Sequence, residues 1–267
     1  MRKAIPVLLL SAAFVAVLLG GCDKVVSEES TTDINEKIIE TIDKSSPITQ
    51  GNLITKTNTD TDGNVSIEYY DSVGNLVESY KWNKDDVILS HSVITYDVNN
   101  NVQKKEEIGA DGSSTSVESY HYDSNGNVSS TTLNEFDDGK LSKSTSFDSE
   151  GNVTGYSLSE YDENDYLIKI ERYDNNDQLC EYYTYEYNDL GQTTKYSAFD
   201  SDNNLLRYTI FEFNDKGLPV KEKYYNGNNE LESYYSFTYY EDGTMASSTS
   251  YDAQGNLLSE DFFEKTN

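Results

Sequence analysis

A unit that recurs along most of the chain constrains its fold more than any other feature. It reads aromatic, Asp or Asn, two free positions, Gly/Asn/Asp, one free position, aliphatic. Tyr70 to Leu76 shows it, as do Tyr122 to Val128, Phe147 to Val153 and Tyr251 to Leu257. More divergent copies start at Tyr96, Tyr161, Tyr173, Tyr187, Phe199, Phe213, Tyr225 and Tyr239. The fifth position holds Gly74, Gly126, Gly151, Gly191, Gly217, Gly243 and Gly255, and elsewhere Asn100, Asp165, Asp177, Asn203 and Asn229. These residue types tolerate left-handed backbone angles. A three-residue hairpin loop, a type I turn followed by one left-handed residue, requires such a residue third. The unit therefore predicts a β-turn whose aromatic and aliphatic sit opposite each other. Phe136-Asp137-Asp138-Gly139-Lys140-Leu141 is one residue shorter, and its Asp-Gly fits a two-residue type I′ turn.

Strand lengths follow by counting. From aliphatic to next aromatic the offset alternates: six from Leu141 to Phe147, eight from Val153 to Tyr161, six from Leu167 to Tyr173, eight from Leu179 to Tyr187. Even offsets predict that both landmarks share one face. The expected fold is all-β, a tandem antiparallel hairpin meander of about sixteen strands. The alternation makes the register drift by two residues per two strands. At ~3.3 Å per residue and ~4.8 Å between strands, that is a tilt of roughly 35°. Tilts of that size belong to closed barrels. The single sheet is expected to coil as a spiral ribbon or to close as a wide barrel. Lys143, Lys169, Lys195 and Lys221 fall mid-strand, where a compact sandwich would require apolar residues. Both sides of the sheet are thus expected to be partly solvated.

Composition agrees. Tyrosine, at 23 residues, favours strands, and proline, at 3, leaves few breaks in them. The 48 acidic and 20 basic residues give a net charge of −28. Such charge disfavours nucleic acid and anionic membrane surfaces as partners.

The first residues differ from the rest. Arg2 and Lys3 precede an apolar run, Ala4 to Leu19, that ends in Leu19-Gly20-Gly21-Cys22. Charge, apolar run and small residues make residues 1–21 a secretory signal peptide. Leu19 to Cys22 resembles the lipobox of bacterial lipoproteins. That resemblance implies lipidation of Cys22, which would become the N-terminus and hold the chain to the membrane. The expected location is extracytoplasmic, on a bacterial membrane or cell surface. Loss of Arg2 and Lys3 would bring the mature charge to about −30. Cys180 is the second of two cysteines, so a lipidated Cys22 leaves it without a disulfide partner. Residues 22–50 form a linker. Within it Ile34, Ile38, Ile39 and Ile42 fall at helical spacing, consistent with a short helix over 33–43 or with a flexible tether. The repeat domain spans 51–267.

The Tyr-Asp-x-x-Gly-Asn-Leu unit, as in Tyr122 to Val128, resembles the YD repeats of RHS-type proteins. The likeness covers most of 58–263. It implies a β-strip that spirals around a cavity, on a secreted or surface protein. The chain is far shorter than a full RHS shell, and no core motif or toxin domain is evident after the last unit. Toxin encapsulation is therefore not implied.

Candidate chemistry is sparse. Two histidines, His91 and His121, stand thirty residues apart, and carboxylates are too numerous for any pair to indicate acid–base work. Asn58, Asp60 and Asp62 resemble the start of a calcium loop, with Glu68 near the position of its closing carboxylate. The same residues also suit an Asp-Gly hairpin turn. No cofactor other than calcium is suggested. Trp82, Tyr183, Tyr185, Tyr235 and Tyr239 are candidates for stacking on a ligand, or for cross-strand packing. The expected function is non-enzymatic: a lipid-anchored surface repeat protein binding a glycan or protein through its sheet. A structural envelope spacer and a carboxylate-based enzyme are the alternatives.

Overall fold

The computed structural model describes residues 53–264. Cys22 and the residues expected to form a signal peptide, a linker and a helix over 33–43 or a flexible tether lie outside the described residues.

Seventeen strands follow one another: β1 (Ile54–Thr59), β2 (Val65–Tyr70), β3 (Leu76–Trp82), β4 (Ile88–Tyr96), β5 (Val102–Ile108), β6 (Ser114–Tyr122), β7 (Val128–Asp137), β8 (Lys140–Asp148), β9 (Val153–Tyr161), β10 (Leu167–Asp174), β11 (Leu179–Tyr187), β12 (Thr193–Asp200), β13 (Leu205–Phe213), β14 (Pro219–Asn226), β15 (Leu231–Tyr239), β16 (Met245–Asp252) and β17 (Leu257–Phe262). Each pairs antiparallel with its sequence neighbours in one sheet. Among the described residues β1 bonds only β2 and β17 only β16, so the sheet does not close into a barrel. Three further loops complete the seventeen strands: Trp82 to Ile88 fits the unit in full, while Thr59 to Val65 and Ile108 to Ser114 lack its aromatic.

The turns explain the unit. In the first full copy, Gly74 N–H donates to the Asp71 carbonyl (3.1 Å) and Asp71 N–H donates to the Asn75 carbonyl (2.9 Å). Asp71 Oδ1 accepts from the N–H groups of Val73 (3.0 Å) and Asn75 (2.9 Å), and Asn75 Nδ2 donates to Asp71 Oδ2 (2.9 Å). Asp at the second position is thus an acceptor for the turn's inward N–H groups. The sixth position, free in the unit, is Asn wherever its amide returns to that carboxylate, as at Asn101, Asn127, Asn152, Asn204 and Asn256. The fifth position carries φ from +75° to +94° at Gly74, Gly126, Gly151, Gly191, Gly217, Gly243 and Gly255. Asn100, Asp165, Asp177, Asn203 and Asn229 hold φ of +60° to +69° there. Asp138 (+48°) and Gly139 (+72°) form the two-residue turn between β7 and β8.

The register drift is present. Glu160 lies opposite Lys169, and Lys169 opposite Thr184, so two strands advance the chain by 24 residues. The repeat itself advances by 26, from Tyr161 to Tyr187. The expectation of shared faces needs correction. Beside every loop after the first the register slips by one residue, as between Leu167 and Lys169. A one-residue bulge of this kind moves a side chain to the other side of the sheet. Leu167 therefore accompanies Tyr161 on one face, while Tyr173, six residues on, lies on the other. Loops along one edge pack onto one face and loops along the other edge onto the opposite face.

Loops on one edge are also tied to each other. The hydroxyls of Tyr96, Tyr122, Tyr161, Tyr187 and Tyr239 donate to the carbonyls of Leu76, Val102, Leu141, Leu167 and Pro219, each twenty residues earlier, at 2.6–3.0 Å.

Candidate functional site

Opposed residues of an antiparallel pair share a face, so the registers sort the side chains of β9–β16 into two surfaces. One is a ladder. Tyr156 stacks on Tyr173 (4.9 Å between centroids), Tyr182 on Phe199 (4.8 Å), Tyr208 on Tyr225 (4.5 Å) and Tyr234 on Tyr251 (4.7 Å). Lys143, Lys169, Lys195 and Lys221 place their ammonium groups over Tyr156, Tyr182, Tyr208 and Tyr234 at 5.0–5.4 Å. Each exposed tyrosine face is covered by a cation, which accounts for lysines in mid-strand. The ladder is packing: Tyr156, Tyr182, Tyr208 and Tyr234 are each held between a ring and a cation.

The opposite face differs. Tyr183 lies opposite Ala198, Tyr185 opposite Tyr196, and Tyr235 opposite Glu222. Tyr196 stacks on Tyr183 (5.5 Å) and tilts against Tyr185 (5.5 Å), and Tyr224 meets Tyr235 edge to face (6.0 Å). These rings are half-buried. Arg172 bonds Glu181 (2.7 Å) and lies beside Tyr183, and Arg207 lies beside Tyr196. Burial pushes the Tyr185 and Tyr196 hydroxyls up from the usual phenol value, so both stay neutral. Glu222, 7% exposed between Phe211 and Tyr235, accepts from the Tyr224 hydroxyl at 2.5 Å, and burial raises its pKa. At the loop edge of the same face, Leu218, Val220, Phe237 and Tyr239 line a shallow hollow rimmed by Asp215 and Glu241.

The structure thus brings Tyr183, Tyr185 and Tyr235 onto one surface. Tyr239 sits in the hollow with its hydroxyl bonded to Pro219. Trp82 requires correction as a stacking residue. It is 1% exposed, in a cluster with Ile67, Tyr69 and Ile88, and Tyr80 stacks on it at 5.3 Å. Tyr80 also stacks on His91 (4.0 Å), and both donors reach Glu78, His91 at 2.9 Å and Tyr80 at 2.7 Å. A ring so enclosed offers no face to a ligand. Tyr196, Tyr224, Arg172 and Arg207 were not singled out by sequence. Their pairing with Tyr183 and Tyr235 could have been counted across the loops, had the bulges been known.

The calcium residues are dispersed into ordinary roles. Asp60 Oδ1 accepts from Asp62 N–H (3.0 Å) and Asn64 N–H (2.9 Å), and Asn64 Nδ2 donates to Oδ2 (2.8 Å). Those bonds, the Asn64 amide foremost, lower the Asp60 pKa to about 2. Asn58 pairs with Ser66 across the strands, and Glu68 accepts from the Tyr70 hydroxyl (2.7 Å). The site is a hairpin turn, and among the described residues no three His, Cys, Asp or Glu side chains are grouped for a metal. Cys180 is exposed.

Comparison with known proteins gives distant likenesses only. No family model and no curated protein matches the chain. Among solved structures, a Photorhabdus luminescens Tc holotoxin pore aligns over 77% of this chain at 12% identity and a TM-score of 0.26. The chain spans 15% of that protein. A porin-like protein from Bacteroides uniformis aligns over 76% of this chain and 91% of its own, at 11% identity and a TM-score of 0.36. One from Bacteroides vulgatus aligns over 78% and 95%, at 10% identity and 0.34. The class defined here rests on the strand registers: an open, single-sheet β-hairpin repeat.

Proposed function

We propose that this chain is a lipid-anchored cell-surface repeat protein that binds a glycan or protein partner, without catalysis, through the tyrosine face of β10–β16. The observation that carries the reading is the row of half-buried rings at Tyr183, Tyr185, Tyr196, Tyr224 and Tyr235, interleaved with Arg172 and Arg207. Rings beside guanidinium groups suit sugar rings and peptide side chains alike. The anchor rests on the lipobox-like residues Leu19 to Cys22. A spacer role without a ligand is the second reading, favoured by the mutual stacking of Tyr183 and Tyr196.

Two measurements test the proposal. Cys22→Ser should move the protein from the membrane fraction to the medium or periplasm; retention in the membrane refutes the anchor. Glycan arrays and pull-downs from surface extracts should return a ligand whose binding is lost in Tyr185→Ala/Tyr235→Ala. A ligand retained by that variant refutes the tyrosine face as the binding site, and none recovered at all leaves the spacer reading standing.

A further inference from the structure

We propose that copies of this chain associate end to end, β17 of one copy lying parallel beside β1 of the next. Among the described residues the two terminal strands each leave one row of backbone N–H and C=O groups without a strand partner. Such an edge is a template for pairing unless its side chains forbid it. Here the side chains select one pairing. β1 carries a single charge, Lys56, and β17 carries Glu260 and Asp261. Two β17 edges meeting would set carboxylates against carboxylates, and two β1 edges lysine against lysine. β17 against β1 joins opposite signs.

The faces agree with this choice. Opposed pairs link Lys56 to Glu68, Ser79, Ser92 and Glu107 in turn, and onward through the ladder face to Thr249 and Glu260. Lys56 and Glu260 therefore lie on the same side of the sheet. β1 and β17 also run in the same direction, sixteen antiparallel steps apart. A second copy set beside the first without being turned over presents β1 parallel to β17, with the ladder face continuous. Placing Lys56 beside Glu260 then puts Ile54 (59% exposed) beside Leu258 (62% exposed) on that face. On the other face Thr55 falls beside Ser259 and Thr57 beside Asp261. An antiparallel contact between β17 and β1 would require turning one copy over, and Glu260 would then face threonines. Lys56 already approaches Glu68 (3.7 Å) yet keeps its side chain 68% exposed, so it can serve both carboxylates. The contact is heterologous and does not close on itself, so it generates an open chain of copies.

The net charge of −28 repels the copies at long range. Screening over ~8 Å at physiological salt removes most of that repulsion while leaving the short contact. Sedimentation velocity of the full-length protein at physiological salt should therefore show a series of oligomers growing with concentration. Lys56→Glu and Glu260→Lys should each weaken association about tenfold, by turning an attractive pair into a repulsive one. A one-to-one mixture of the two variants, and the double variant, should recover it. Circular dichroism of each variant should match that of the native protein, because both side chains are solvent-facing. A native protein that stays monomeric up to ~100 µM, a concentration that would reveal even weak association, overturns the proposal. So do single variants that associate as the native protein does, or a double variant that fails to recover.

Discussion

Gly126→Ala isolates the backbone term that the repeat depends on. Gly126 sits at φ +83°, and a Cβ built there would meet nothing within 4 Å. No steric clash contributes, so the cost is that of holding an L-residue in the left-handed region, about 1–2 kcal/mol. The unfolded chain returns about 0.4–1 kcal/mol, because alanine has fewer conformations to lose than glycine. The net destabilisation is about 0.5–1 kcal/mol, which in a domain of this size lowers the melting temperature by roughly 1–4 °C. Gly126→Asn supplies the control. Asn100, Asn203 and Asn229 already occupy the same position at φ of +69°, +67° and +63°. Calorimetry should therefore find Gly126→Asn within about 1 °C of the native protein and Gly126→Ala clearly below it. An alanine variant that melts with the native protein, or an asparagine variant that falls as far, would refute the account of the fifth position.

Other perturbations probe different layers of the fold. Tyr187→Phe removes the hydroxyl bonded to the Leu167 carbonyl (2.7 Å) and should cost about 1 kcal/mol in urea denaturation. Trp82→Ala empties the centre of the β2–β4 cluster and should cost about 3–5 kcal/mol; in the native protein the single tryptophan should fluoresce blue-shifted and resist acrylamide quenching. The turn aspartates Asp60, Asp71, Asp97, Asp123, Asp148, Asp200 and Asp252 have lowered pKa values, held there by hydrogen bonds from their own loops. Their stabilisation is complete above the unfolded value of 3.8 and is lost as pH falls toward the folded values, about 2 for Asp60, so melting temperatures should drop across that interval. Glu222 has the reverse sign: burial raises its pKa, its ionised form disfavours the fold, and Glu222→Gln should raise the melting temperature at neutral pH and leave it little changed at pH values below the unfolded pKa.

The turns were legible because their demands fall on consecutive residues. A left-handed position admits few residue types, and an acceptor three places earlier admits Asp or Asn, so Tyr70 to Leu76 announces its loop in seven letters. The loop around Gly112 is harder to read: Ile108 replaces the aromatic, Gly109 the Asp and Ser114 the aliphatic, and Asp111 takes over as acceptor for Ser113 N–H (3.0 Å). The register drift could be computed because it depends only on the spacing of landmarks. The two faces could not, because the bulge beside each loop leaves no mark of its own in the sequence; Leu167 and Tyr173 look like neighbours on one surface and are not. Burial was equally hidden. Trp82 owes its enclosure to Ile67, Tyr69, Tyr80 and Ile88, which three strands bring together, and nothing near it in sequence separates it from the half-buried Tyr185.

Because every strand among the described residues bonds only the strands before and after it, load applied between the two ends of the domain would fall on one hairpin at a time. Each peeled pair of strands occupies ~9.6 Å of sheet and releases roughly 90 Å of chain when its 26 residues straighten. The domain would lengthen severalfold in small reversible steps and refold hairpin by hairpin when the tension ends. Held at one end and gripped at the other, it would work as a shock-absorbing cable.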